Sequence, residues 1–162
     1  MRPAQETIDI SRDLVSLLPR LRRFALTLTR DGQQADDLVQ TVCERATGRQ
    51  PVWNGHGRLE DALYTLARSL RDEAMGRRRV ATNLHAGPSP SGETSYTGAV
   101  QQVIISMPEG LASAFLLVAV EHRTYRDAGR ILGLAPDVIA SRLATARARL
   151  ASMASDMTER RA

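Results

Sequence analysis

Apolar residues recur every three or four positions along almost the whole chain, and almost nowhere do they alternate with polar ones. That rhythm fits α-helices and leaves little room for strands. Leu14, Leu17, Leu18, Leu21, Phe24, Ala25 and Leu28 mark one helix, roughly Ser11 to Arg30, and Asp31-Gly32 ends it. A second helix is predicted from about Gln33 to Ala46. The segment GRQPVWNGHG, Gly48 to Gly57, is a loop by composition. A third helix, roughly Arg58 to Arg79, carries Leu59, Leu63, Leu66, Ala67, Leu70 and Met75 on one side.

The longest break in the rhythm comes later. The stretch ATNLHAGPSPSGETSYTG is rich in Gly, Pro, Ser and Thr and offers little that could fill a core, so it reads as a flexible linker. Helical patterning then resumes. Val100 to Ser106 is a short helix, and Pro108 is well placed to open the next. Leu111, Phe115, Leu116 and Val118 to Val120 are expected to supply its buried face. Thr124 to Leu132 is another helix, stopped by Gly133, and Asp137 to about Met153 is the last. The tail MTERRA is expected to fray. The expected fold class is therefore all-α: a helical domain over residues 8–80, a linker over 81–98 and a second helical domain over 99–155. Each module is near the lower limit for folding alone.

Composition narrows the function classes. The longest apolar run, Leu111 to Val120, is far short of the roughly 20 residues a bilayer needs, so membrane insertion is not expected. The start, MRPAQETIDI, lacks the apolar core of a signal peptide. One cysteine, Cys43, cannot make an internal disulfide, and a cytoplasmic location is the simplest reading. The net charge is +4, and all 22 basic residues are arginine. Arginine stays charged and grips phosphates or carboxylates with two hydrogen bonds. Placement decides more than the total.

The segment TYRDAGRILGLAPDVIASRLATARARL, Thr124 to Leu150, has the parts of a helix-turn-helix. Thr124 and Asp127 resemble a capping box. Tyr125, Ala128, Ile131 and Leu132 form the expected inner face of a short helix. Gly133 permits the left-handed turn that ends it, Leu134 plugs the corner and Pro136 starts the second helix. Ile139, Leu143 and Ala146 then face inward, while Ser141, Arg142, Thr145 and Arg149 project elsewhere. A brace, a tight turn and a second helix with short polar and arginine side chains are what a reader of the major groove needs. A plain helical hairpin with a solvated arginine face has the same pattern.

In the first half, ADDLVQ sets Asp36 and Asp37 against Leu38 and Val39. Metal binding would need further hard ligands, yet the nearest acid, Glu44, is two turns on, and His56, His85 and His122 are scattered. No catalytic constellation accompanies the pair, and neither a metal nor another cofactor is expected. A role at the helix start accounts for one acid. An acidic edge with apolar neighbours suits a basic, helical protein partner. The third helix ends in Arg77, Arg78 and Arg79, with Arg68 and Arg71 upstream. Its preceding loop holds Trp53, Asn54 and His56. An exposed Trp53 could stack on an unpaired base; it could equally anchor the core.

Taken together, LLPRLRRFALTLTRDGQQADDLVQTVCERA, ALYTLARSLRDEAMGRRR and MPEGLASAFLLVAVEHRTYRDAGRILGLAPDVIASRLATARARL resemble, in this order, regions 2 and 4 of a Group IV, extracytoplasmic-function (ECF) sigma factor of bacterial RNA polymerase. The resemblance runs from about Asp13 to Leu150. It implies that Asp36, Asp37, Leu38, Val39 and Gln40 dock on the clamp helices of the polymerase β′ subunit, within a core enzyme that also includes β. It implies that Trp53, Asn54, His56, Arg68, Arg71, Arg77, Arg78 and Arg79 meet the promoter's minus-10 element. The minus-35 element would fall to Arg126, Ser141, Arg142, Thr145 and Arg149. It further implies no active site, and an anti-sigma factor that wedges between or clamps the two modules.

Some positions depart from the family pattern. Thr41 stands where an acid is usual, Ala62 where Trp is common, Ser69 where Asn is usual, and an aromatic expected near Ala46 or Thr47 is missing. Ala140 and Thr145 replace basic residues of the recognition helix. Each lost phosphate or base contact costs about 1–3 kcal/mol. The runner-up reading is a sigma mimic that binds an anti-sigma factor without using promoter DNA. A free-standing helix-turn-helix repressor would leave the first module unexplained.

Overall fold

The computed structural model describes residues 10–50, 52–82, 99–108 and 110–160. Its regular elements are all helical: α1 (Ile10–Thr29), α2 (Gly32–Ala46), α3 (Leu59–Thr82), α4 (Ala99–Ser106), α5 (Leu111–Phe115), α6 (Tyr125–Leu132) and α7 (Pro136–Glu159). A π-helical stretch, Leu116–Val120, continues directly from α5. The all-α reading holds. The expected linker falls almost wholly on residues 83–98, outside the described residues.

Local chemistry sets several helix ends. Asp31 is the N-cap of α2, its Oδ1 accepting the Gln34 N–H at 2.8 Å. Asp36 and Asp37 consequently lie beyond the first turn and play no part in starting the helix. Thr124 caps α6: its hydroxyl accepts the Asp127 N–H at 3.1 Å and donates to the Asp127 carboxylate at 2.8 Å. Gly133 ends α6 at φ 66°, the left-handed conformation glycine adopts without a steric penalty.

Four expectations are corrected. Pro108 does not open α5; a turn intervenes, with Gly110 at φ 83° as N-cap. Val120 is 42% exposed rather than buried, because the π-helical stretch rotates it off the core face. Tyr125 is 43% exposed, since the first residue of α6 points away from the helix face that packs. Helix α7 continues to Glu159 instead of ending near Met153, and so takes in the first residues of the tail expected to fray, with neither Gly nor Pro to stop it.

The two modules share a core. Leu14, Leu21, Phe24, Val42, Leu63, Tyr64 and Leu70 from α1–α3 belong to one buried cluster with Leu117, Ala128, Ile131 and Ile139 from the second half. A second cluster joins Ala25, Leu26 and Ala35 to Ile104, Met107, Ala112 and Ala146. Helix α3 lies against α6, and α1 against α4 and α5. Small modules bury little surface alone, and the shared clusters add to what each buries.

Candidate polymerase and promoter surfaces

The acidic edge of α2 faces outward. Asp36, Asp37, Gln40 and Thr41 are exposed, while Leu38 and Val39 are half-buried and pack on both core clusters. Ala35, Val42 and Ala46 are the buried residues of α2 and turn to the core instead. Asp36 pairs with Arg22 of α1 at 2.6 Å, and Asp37 accepts from Gln33 at 3.2 Å. Both contacts are solvent-exposed and easily exchanged for a partner's cations. Beside this edge runs a groove of about 210 Å³ between α2 and α3, lined by Asp37, Leu38, Thr41, Arg71, Arg77 and Arg78. Cys43, on the same helix, is half-buried, and burial with nearby Glu44 raises its thiol pKa.

Trp53 is half-buried against the first core cluster, and its indole N–H donates to the His56 carbonyl at 2.9 Å. Asn54 Oδ1 accepts the His56 N–H at 3.1 Å. The Trp53 ring therefore braces its own loop, and the loop presents Asn54 and His56 to solvent. Arg77, Arg78 and Arg79 are exposed at the end of α3.

The helix-turn-helix is complete. Ala128, Ile131, Ile139, Leu143 and Ala146 are buried, and Leu134 is half-buried at the corner. Arg126, Ser141, Thr145 and Arg149 are exposed. Arg142 is not grouped with them: it is half-buried over the backbone of Gly110. It lines a cleft of about 340 Å³ between the modules, together with Arg68, Arg71 and Asp72. Arg68 donates Nε to the Ile131 carbonyl at 2.7 Å and Nη1 to Asp72 at 2.8 Å; Arg71 donates to the Leu28 carbonyl at 3.3 Å. The expected DNA contacts thus divide into an outward set and a set turned to the seam.

A group that sequence reading missed lies on the same seam. Arg20 of α1 donates Nε to Glu121 at 2.9 Å and Nη1 to Glu60 at 3.1 Å, and its Nη2 also meets Glu121. Arg123 donates Nε to Asp61 at 2.6 Å. The Glu121 hydrogen bond holds the Arg20 guanidinium charged, above its ordinary pKa. Burial, with Glu121 nearby, pushes Tyr64 up to about 12. No local pattern marks these residues, because the Arg20–Glu121 partners stand 101 positions apart. Among the described residues no group of three or more His, Cys, Asp or Glu side chains could hold a metal ion, and no helix is long and apolar enough to cross a membrane.

Comparison with known proteins agrees with this layout. The family model for the Sigma2 domain of PhyR matches residues 14–68, and that for Sigma-70 region 4 matches residues 97–150. The ECF RNA polymerase sigma factor EcfG of Rhodopseudomonas palustris (strain TIE-1) is 28% identical over 156 residues, covering 91% of this chain and 86% of that protein. Taken together, the two family models and this relative support an ECF sigma factor of the sigma-70 family. The chain's fold is shared with the sigma factor RpoE of Bartonella quintana, solved in complex with the anti-sigma factor NepR: TM-score 0.73, 24% identity, 91% of this chain and 97% of that one. It is shared more loosely with the anti-anti-sigma factor PhyR of Bartonella quintana, solved with NepR (TM-score 0.54, 20% identity, 90% of this chain, 50% of that one). CnrH, solved with the cytosolic domain of CnrY, gives a TM-score of 0.58 at 17% identity over 90% of each chain.

Proposed function

We propose that this sigma factor binds core RNA polymerase through the acidic edge of α2 and directs it to promoters. In this reading, α2 docks with Asp36, Asp37 and Gln40 on the β′ subunit. The loop of Asn54 and His56 and the arginine-rich end of α3 engage the minus-10 element. Helix α7 enters the minus-35 major groove with Ser141, Thr145 and Arg149, and Arg126 of α6 steadies the backbone. The chain performs no bond chemistry; it works in the cytoplasm as a specificity subunit and needs no cofactor. An anti-sigma factor holds it silent. The domain boundaries in this reading are 8–80 and 99–155, with 81–98 as the connection.

The observation that carries the proposal is the outward acidic edge of α2 on the same chain as a complete helix-turn-helix. The test is a pull-down with core polymerase followed by run-off transcription from a promoter library. Wild type should bind core and give specific transcripts; Asp36→Ala with Asp37→Ala should weaken core binding without loss of helicity. A double variant that binds core as well as wild type would remove α2 from the docking surface.

The match of residues 14–68 to the Sigma2 domain of PhyR favours one alternative, a sigma mimic that sequesters an anti-sigma factor. Absence of core binding combined with tight anti-sigma binding would select it.

A further inference from the structure

Glu121 and Arg123 flank the turn that leads into α6, and they are 6% and 4% exposed. Charged side chains are rarely this buried unless paired. Their side-chain partners lie in the other module: Arg20 for Glu121, Asp61 for Arg123. Both are brought to the seam by His122, a non-glycine residue at φ 54°, a conformation that side chains other than Asn, Asp and His rarely tolerate. His122 itself stays exposed, so the left-handed turn serves to send its two neighbours inward.

The arrangement is specific in geometry but weak in net attraction. Burying two charges cancels most of what their pairing returns, so such pairs define a register more than they add stability. One donor is left over: Arg123 Nη2 has no hydrogen-bond partner among the described residues, and neither has the Tyr64 hydroxyl beside it in the seam. Opening the seam would hydrate both. Closure therefore draws most of its free energy from the shared apolar core, and the pairs hold it in register, because losing one partner would leave a buried charge uncompensated.

Closure also has a cost for DNA contact. Arg68 is committed to the Ile131 carbonyl at the end of α6, and Arg142 lies over Gly110 in the cleft between the modules. A cleft of about 340 Å³ admits side chains, not a duplex.

We infer that Arg20, Glu60, Asp61, Glu121 and Arg123 form an intramolecular latch that keeps the free chain closed, with Arg68 and Arg142 withheld from DNA until the modules separate. The occlusion part rests on the promoter reading above; the latch itself does not.

The experiment uses the full chain in two arms. In the first, small-angle scattering compares wild type, Asp61→Arg, Arg123→Asp and the double swap, with circular dichroism to show that helicity is kept. Wild type should be compact, with a radius of gyration near the roughly 15 Å expected for a folded chain of this length. Each single reversal should expand it by several ångströms, and the swap should restore it. An extended wild type, or single variants as compact as wild type, would overturn the latch. Single variants that lose helicity without rescue by the swap would overturn it too, because a latch must be separable from the fold. In the second arm, binding to a pool of random-sequence duplex DNA is measured against salt. Freeing two arginines should tighten binding and steepen the logarithmic salt dependence by about 2. Opened variants with unchanged binding and slope would overturn the occlusion, and would count against the promoter roles of Arg68 and Arg142 while leaving the latch standing.

Discussion

Phe24 of α1 and Tyr64 of α3 face each other with ring centroids 4.6 Å apart and planes tilted by 38°. The pair is the aromatic centre of the first module, at 0% and 1% exposure. Aromatic pairs at this separation add about 0.5–1.5 kcal/mol to simple burial. The Tyr64 hydroxyl contributes nothing comparable, because among the described residues it has no hydrogen-bond partner.

That mismatch predicts the behaviour of Tyr64→Phe. The variant keeps the ring contact and removes a buried, unsatisfied hydroxyl, so stability at neutral pH should be unchanged or raised by about 1 kcal/mol. The alkaline limb should differ more. Burial raises the folded pKa of Tyr64 to about 12, against about 10 for an unfolded tyrosine. A raised pKa means the fold favours the neutral phenol. That contribution is intact below about pH 10 and is lost as pH rises through 10 to 12, by an amount on the order of 2 kcal/mol. Urea melts at stepped pH check this: the steep loss above pH 10 should shrink in Tyr64→Phe, and identical curves would refute the assignment.

Two glycines of the helix-turn-helix should respond unequally to alanine. Gly133→Ala keeps its space but forces a side chain into the left-handed region, at about 1–2 kcal/mol. At Gly129 the problem is volume: an added Cβ would stand 2.5 Å from the Leu134 carbonyl oxygen, which is backbone and cannot swing aside. Gly129→Ala should therefore cost more than Gly133→Ala and shift the corner between α6 and α7. Thermal melts of the two variants give the order, and equal losses would show that the corner yields freely.

How much of this was legible beforehand follows from range. Helices α1, α2, α3 and α6 announced themselves because apolar spacing and caps are local: Leu14, Leu21 and Phe24 repeat at helical intervals, Thr124 and Gly133 bracket α6. The run LLVAV was apolar at every position, so it carried no phase from which a π-helical turn, or the exposure of Val120, could be read. Asp36 and Asp37 stood out as a pair, but which acid capped α2 depended on where the helix began, and that was Asp31. Arg20, Asp61, Glu121 and Arg123 looked like ordinary surface charge. Only the packing of one module on the other, across 62 to 101 positions, turns them into a buried cluster.

His122 offers a direct test of strain. It is exposed at φ 54°, and its side chain makes no hydrogen bond or ion pair among the described residues that glycine would forfeit. His122→Gly should relieve the left-handed penalty of about 1 kcal/mol, offset in part by glycine's greater freedom when unfolded. The expected net gain is roughly 0.5 kcal/mol, read from chemical denaturation. A clear loss of stability would mean that the imidazole does structural work in the turn.

The acids around α2 should separate into those that hold the fold and those that do not. Asp31 accepts a helix-end N–H at 2.8 Å, so Asp31→Ala should cost about 1 kcal/mol. Asp36 is exposed and pairs with an exposed Arg22, and Asp37 meets only Gln33. Contacts of that kind contribute about 0–1 kcal/mol, so Asp36→Ala and Asp37→Ala should melt close to wild type. Core-polymerase binding should follow the opposite order, weakened by the Asp36 and Asp37 variants and nearly unaffected by Asp31→Ala under conditions where that variant is folded. Measuring melting and core binding on the same three preparations separates the two properties. A common ranking in both would mean that the acidic edge acts on binding only through stability, and α2 would lose its claim as a docking helix.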